Sequence, residues 1–250
     1  MEGPSLFLAQ EQLKPFRKQV IRSAVGNTKA VDPASLVGMT VKDIFAWGKH
    51  LVFQFDTFAI RIHFLMFGTF EAEVNGDWVT GDYRRAREAR LAFTFDTGQI
   101  NMYSCSVKII ESKNAKKDYD FSIDIMSKHW DPARAYKSVR AQPDEEIADV
   151  LLDQEIFAGV GNIIKNEVLS RMKVAPQHRV RDLSPAKLKA IIADARTYSL
   201  LFYKWRKKFE LRKHLLVHRK GTCPHCGTKL MRAKTGKRVR WSYWCPVDQV

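Results

Sequence analysis

Cys223-Pro-His-Cys226 and, 18 residues later, Cys245-Pro-Val-Asp248 have the residue types and spacing of two metal-binding knuckles. Such a pair suits a tetrahedral zinc joining two β-turns in a zinc ribbon. A piece of about 30 residues cannot bury enough core to fold alone, which makes a structural metal physically reasonable. Asp248 stands at the fourth position; three thiolates and a carboxylate still form a tetrahedral site, though a harder one. His218 and His225 are alternatives for that place, but His225 adjoins Cys226 and its approach is awkward. Cys105 lies far off in a strand-like segment and reads as a core thiol. Between the knuckles, residues 229–234 and 237–244 can pair around Thr235-Gly236 as a hairpin. Arg238, Arg240 and Ser242 would then share one face, and Val239, Trp241 and Tyr243 the other. A metal-pinned hairpin with an arginine face is suited to reaching into nucleic acid.

The charge points the same way. The 250 residues carry 42 Lys+Arg against 27 Asp+Glu, a formal charge of +15. Residues 201–250 hold 14 of those bases and only Glu210 and Asp248 as acids, which is +12 of the +15. Interleaved Trp205, Trp241, Tyr243 and Trp244 make a polyanion the expected partner rather than a merely solvated face. At 45% hydrophobic residues the chain is not a disordered tail. Apolar runs such as residues 60–70 are broken by Arg61 and His63, and none approaches the roughly 20 residues of a membrane helix. Met-Glu-Gly-Pro lacks the pattern of a signal peptide, and four cysteines do not make a disulfide scaffold. The expectation is a soluble cytoplasmic protein.

Three parts must position these residues. Residues 1–128 read as β-rich: 51–55, 59–64, 90–95 and 99–109 are strand-like, separated by breaks at Asp56-Thr57, Asn75-Gly76-Asp77 and Asp96-Thr97-Gly98. A helix is expected over residues 5–20, giving a β-sandwich with a flanking helix. Residues 129–215 read as helical. One helix is expected over 144–157, with Asp144, Glu145 and Glu146 at its positive end, and a second over 163–172 after Gly159-Val-Gly-Asn162. A third follows Ser184-Pro185, which suit the N-cap and first turn, and can run to Phe209. Residues 216–250 hold the zinc hairpin. The fold class expected is α+β, with no internal repeat and no low-complexity linker.

Several motifs converge on one family. Met1-Glu-Gly-Pro, Trp47-Gly-Lys-His-Leu51, Arg61-Ile-His-Phe-Leu-Met-Phe-Gly68, the run from Leu152-Asp-Gln to Gly159-Val-Gly-Asn-Ile-Ile-Lys-Asn-Glu-Val-Leu169 and the zinc hairpin occur in this order. The chain resembles the formamidopyrimidine-DNA glycosylase/endonuclease VIII family of base-excision repair enzymes. Met102-Tyr-Ser-Cys-Ser106 is closer to the endonuclease VIII branch, which leans the substrate toward oxidised pyrimidines.

The resemblance implies a β-sandwich, a helix–two-turn–helix domain and a zinc finger that clamp damaged double-stranded DNA, in a monomer that in a bacterial-type cell works at the nucleoid. It implies a DNA glycosylase that is also an abasic-site lyase. The base leaves the stack, an amine attacks the sugar C1′, and the resulting Schiff base acidifies the C2′ proton, so the strand breaks by β-elimination. The family's amine is that of an N-terminal proline followed by glutamate. Here Met1 takes the proline's place and Glu2 follows; because glutamate is bulky, retention of the initiator methionine is expected. An α-amine has a reference pKa of about 7.7–8.0, far below that of lysine, so the Met1 amine can act as nucleophile and Glu2 as its acid and base. Ser5 stands where the family usually has another glutamate. The resemblance gives Lys49, His63 and Arg240 to phosphates beside the lesion, and Met66 to the gap left by the extruded base. Gly161 and Asn162 open a helix whose N–H groups favour an anion, and Arg238 lies beside Arg240. The second reading is a damaged-DNA binder, or a glycosylase without lyase activity, because the proline is absent.

Overall fold

The computed structural model describes residues 1–80 and 88–250. They divide into two compact units, one of Met1 with Ser5–Asp120 and the other of Glu2–Pro4 with Phe121–Val250. The expected helix over 5–20 ends early. Helix α1 spans Gly3–Gln12 and gives way to a 3-10 turn at Lys14–Phe16. Pro15 has no N–H to carry the helical ladder further. Leu6, Ala9, Leu13 and Phe16 have no exposed surface and enter the core of the first unit.

The strands of that unit are β1 (Ser23–Val25), β2 (Asp43–Trp47), β3 (His50–Gln54), β4 (Ala59–Val74), β5 (Asp77–Trp78), β6 (Leu91–Phe95) and β7 (Gly98–Ile110). They make one sheet in the order β1-β6-β7-β4-β3-β2, with β5 on β4. The long strands β4 and β7 let that single sheet serve as two layers. Their pairing shifts register between Phe64 and Thr69. Before the break β4 pairs with β3 through His63, and beyond it with β5 at Glu73 and Val74; β6 pairs with the matching half of β7, residues 98–102. The two halves share one core, in which Phe53 of β3 meets Phe93 of β6 edge-to-face, ring centroids 5.5 Å apart. Gly68 is required at the break. A Cβ there would lie 2.6 Å from the Ser104 carbonyl oxygen and 2.7 Å from the Leu65 nitrogen.

In the second unit Asp131 caps helix α2 (Pro132–Arg140), its carboxylate accepting from the N–H groups of Ala133 and Arg134. The helix expected over 144–157 shrinks to α3, Ile147–Leu151. The chain after it bonds to itself instead: the Asp153 carboxylate accepts from the Glu155 N–H, and the Gln154 side chain bonds Leu152, Gly159 and Val160. Side chains that satisfy the backbone in this way compete with a helix. Helix α4 spans Asn162–Arg171, and α5 spans Pro185–Lys207 behind a Ser184 hydroxyl that accepts from the Lys187 N–H. Phe209, in the left-handed region at φ 58°, lies just beyond its end.

The metal-knuckle hairpin consists of β8 (Met231–Thr235) and β9 (Arg240–Trp244), with Thr235 paired to Arg240. The connection is therefore the four residues Gly236 to Val239, not Thr235-Gly236. Gly236 and Val239 take φ of 69° and 51°. Arg238 consequently sits in the turn and shares no strand face with Arg240 and Ser242. No helix among the described residues is long and apolar enough to cross a membrane.

Candidate active site

In the first unit, β2 and β3 are joined by Gly48 and Lys49 alone, since Trp47 pairs with His50. Gly48 has φ 52°, which glycine adopts without strain, and the turn puts Lys49 at a hairpin tip. His63, facing His50 on the neighbouring strand, bonds through Nδ1 to the Lys49 carbonyl at 3.1 Å. Burial holds His63 below its usual pKa, and the charges of the Met1 amine, Lys49 and Arg61 push the same way. His63 thus sits among the positive charges of Met1, Lys49 and Arg61. His50, stacked on Trp47 at 5.7 Å, is lowered to about 4, chiefly by burial. It is a neutral partner at pH 7. Leu65, Met66 and Phe67, which begin two residues past His63, stand out at the pairing break with 51%, 76% and 76% of their surface exposed. Met66 is not part of the core.

In the second unit the start of α4 already holds an anion. The Glu2 carboxylate, only 9% exposed, accepts from the N–H groups of Ile163 at 2.7 Å and Ile164 at 3.2 Å. The sequence suggested a phosphate for those donors; a carboxylate of the same chain occupies them, because it reaches them at no translational cost and suits the positive helix end. Gly161 makes room. A Cβ at that position would lie 2.4 Å from the Glu2 carboxyl carbon. Gly3 donates to the Gly159 carbonyl at 2.8 Å and fixes the segment that carries Glu2.

Asn162 spends its amide on the Trp241 carbonyl at 2.9 Å, so the residue after Arg240 is tied to the start of α4. The other atom of that side chain, Oδ1, is buried with no partner among the described residues. Arg240 itself is exposed. Arg238 is turned elsewhere, its guanidinium 3.7 Å from the Asp153 carboxylate. The hairpin tip is drawn to acids: the Asp149 carboxylate accepts from the N–H groups of Lys237 at 2.5 Å and Arg238 at 3.3 Å, and Lys237 pairs with Glu145.

Cys223, Cys226 and Cys245 bring their sulfur atoms within 4.8 Å of one another and can hold a metal. The Asp248 carboxylate lies 3.6 Å from the Cys223 sulfur, and the Asp248 N–H donates to the Cys245 sulfur. His218 is engaged elsewhere, its Nδ1 bonded to Asn166 at 3.1 Å.

The residues that sequence reasoning missed are consecutive. Lys165, Asn166 and Glu167 are 0%, 1% and 0% exposed in the middle of α4. The Glu167 carboxylate accepts from the N–H groups of Leu216, Val217 and His218, while Asn166 bonds the Tyr243 N–H and Lys165 bonds Trp241 and Ser242. Three polar residues inside the apolar run Ile163-Ile164 to Val168-Leu169 were the available signal.

Residues 122–198 match the family model for the formamidopyrimidine-DNA glycosylase H2TH domain. Over 223 residues, 87% of the chain, the sequence is 31% identical to Endonuclease 8-like 3 of Xenopus laevis; the match covers 36% of that protein. The chain thus spans about a third of the length of the Endonuclease 8-like 3 proteins it matches. DNA-(apurinic or apyrimidinic site) lyase Nei2 of Mycolicibacterium smegmatis is 27% identical, over 86% of the chain and 84% of its own length. In fold the chain is similar to a viral DNA glycosylase, with TM-score 0.82, 24% identity and full coverage of both chains. It is equally similar to the formamidopyrimidine-DNA glycosylase of Lactococcus lactis, with TM-score 0.83, 21% identity, and 100% and 99% coverage. The helical segment is thus a formamidopyrimidine-DNA glycosylase H2TH domain, and along most of its length the chain is similar to proteins of the formamidopyrimidine-DNA glycosylase/endonuclease VIII family.

Proposed function

We propose that the protein is a base-excision-repair DNA glycosylase with abasic-site lyase activity, acting on oxidised bases, pyrimidines foremost, in duplex DNA. The observation that carries this reading is the seat of Glu2: a buried carboxylate oriented by two N–H groups, on the residue directly after an amine whose charge is felt at His63. In this reading the neutral Met1 amine attacks C1′ of an extruded nucleotide. The bond from C1′ to the base breaks and the base departs with a proton. The sugar ring opens, leaving an iminium between C1′ and the amine nitrogen, and Glu2 carries protons between the ring oxygen, the base and C2′. Loss of the C2′ proton expels the 3′ phosphate. Water then hydrolyses the imine and returns the amine.

Lys49, His63 and Arg240 would bind phosphates, the first as a point charge and the last as a bidentate fork. Met66, exposed at the pairing break, would fill the gap in the duplex. Gly161 would act by admitting Glu2, and Arg238 by adding to the cationic hairpin. We assign zinc to Cys223, Cys226, Cys245 and Asp248. A tetrahedron with Zn–S bonds of about 2.3 Å has edges near 3.8 Å, and the Cys226–Cys245 and Cys223–Asp248 separations are 3.4 and 3.6 Å. A zinc there supplies structure and holds the hairpin root.

The reading is tested by incubating the protein with duplexes bearing an oxidised pyrimidine, an oxidised purine or an abasic site. Base release and strand scission, fastest on the oxidised pyrimidine and the abasic site, support it. Tight binding to all three with neither reaction would favour the non-catalytic damage binder.

A further inference from the structure

Lys165 is a charged group with no exposed surface, on the third residue after Gly161-Asn162. Its ammonium donates to the Ser242 hydroxyl at 2.7 Å and to the Trp241 carbonyl at 3.2 Å. These two residues follow Arg240 directly. The same carbonyl accepts from Asn162 at 2.9 Å and lies 3.4 Å from the Asn166 amide. The same helix also holds the Glu2 carboxylate on the N–H groups of Ile163 and Ile164. One turn of α4 therefore touches both ends of the proposed chemistry.

We propose that Lys165 is a positioning residue, which sets β9, and through it the Arg240 guanidinium, at a fixed distance from the Glu2 carboxylate. This inference rests on the DNA-repair reading for its consequence, not for its geometry. A buried ammonium is an expensive anchor, because removing it from water costs more than an uncharged side chain would. Burial lowers its pKa to about 8, although Asp149, Glu2 and Glu146 pull it upward, and Arg240 adds to the lowering. A residue retained only for stability would be better apolar. Removing the Lys165 side chain leaves both Ser242 and the Trp241 carbonyl with a hydrogen-bond partner. Ser242 keeps its 2.6 Å hydrogen bond to Thr235, and the Trp241 carbonyl keeps Asn162.

The test is Lys165→Met, read first without DNA. Hydrogen exchange at residues 240–244 is expected to quicken about tenfold, while α5 exchanges as before and the melting temperature does not fall. Unchanged exchange at 240–244 overturns the proposal. So does a fall in melting temperature with uniformly faster exchange, since the lysine would then be a general support of the fold. The second reading is affinity for abasic duplex in a cycle with Arg240→Ala. Each single variant is expected to weaken binding about tenfold and the double variant little more than either, because both act through one contact. Fully additive losses overturn the positioning role. If Arg240→Ala alone changes nothing, the phosphate role given to Arg240 fails, and the exchange measurement still decides the anchor.

Discussion

Gly161 is where the account becomes most exposed to a single atom. Its φ is unremarkable, so flexibility is not the reason for a glycine; the reason is the Glu2 carboxyl carbon, 2.4 Å from where a Cβ would stand. Gly161→Ala must push Glu2 off the Ile163 and Ile164 N–H groups. We expect base release to fall about a hundredfold, matching Glu2→Gln, while abasic-DNA affinity changes less than about threefold. Single-turnover rates beside binding isotherms check this, and a Gly161→Ala enzyme with unimpaired base release would show that the Glu2 seat is irrelevant. The sequence carried Glu2 and Gly161 as separate clues, one catalytic and one phosphate-binding. It could not show that the two meet across about 160 positions, or that the carboxylate takes the place expected for a phosphate. Lys49 and Cys223, Cys226 and Cys245 were legible because local spacing alone defines a hairpin turn or a knuckle.

At the scale of elements, the hairpin β8–β9 is held in three ways: by the metal-knuckle cysteines, by Asp149 at its tip and by Lys165 and Asn166 along β9. The Glu167 carboxylate, raised by burial yet bonded to three consecutive N–H groups, fixes the chain leading into it. These contacts do not need the metal. Chelation is expected to cost about tenfold or more in affinity for abasic duplex, through loss of the ordered knuckles around Asp248 and Cys226. Helical circular dichroism should stay within about a tenth of its starting value, because the α4 network remains. Collapse of the helical signal would make the metal a support of the whole second unit. Strands were readable from alternation, and α5 from Ser184-Pro185. The failures have local causes. Pro15 cut α1 short, Asp153 and Gln154 drew the chain out of the helix after α3, and the pull of Asp149 on the Lys237 and Arg238 N–H groups goes with the longer hairpin turn.

For the whole molecule, a charge of +15 with +12 in residues 201–250 is a statement about polyanion binding that composition made unaided. Composition could not separate a repair enzyme from any other DNA binder; the proposal of a repair enzyme is carried by the ordered motifs. The proposed chemistry turns on the residue before Glu2. The most direct measurement is borohydride reduction of the protein on abasic-site duplex, followed by proteolysis and mass mapping of the adduct. The account expects a covalent protein–DNA adduct whose sugar remnant is on the α-nitrogen of Met1. An adduct mapped to Lys49 or another lysine, or no adduct from folded protein that binds the duplex, would contradict it.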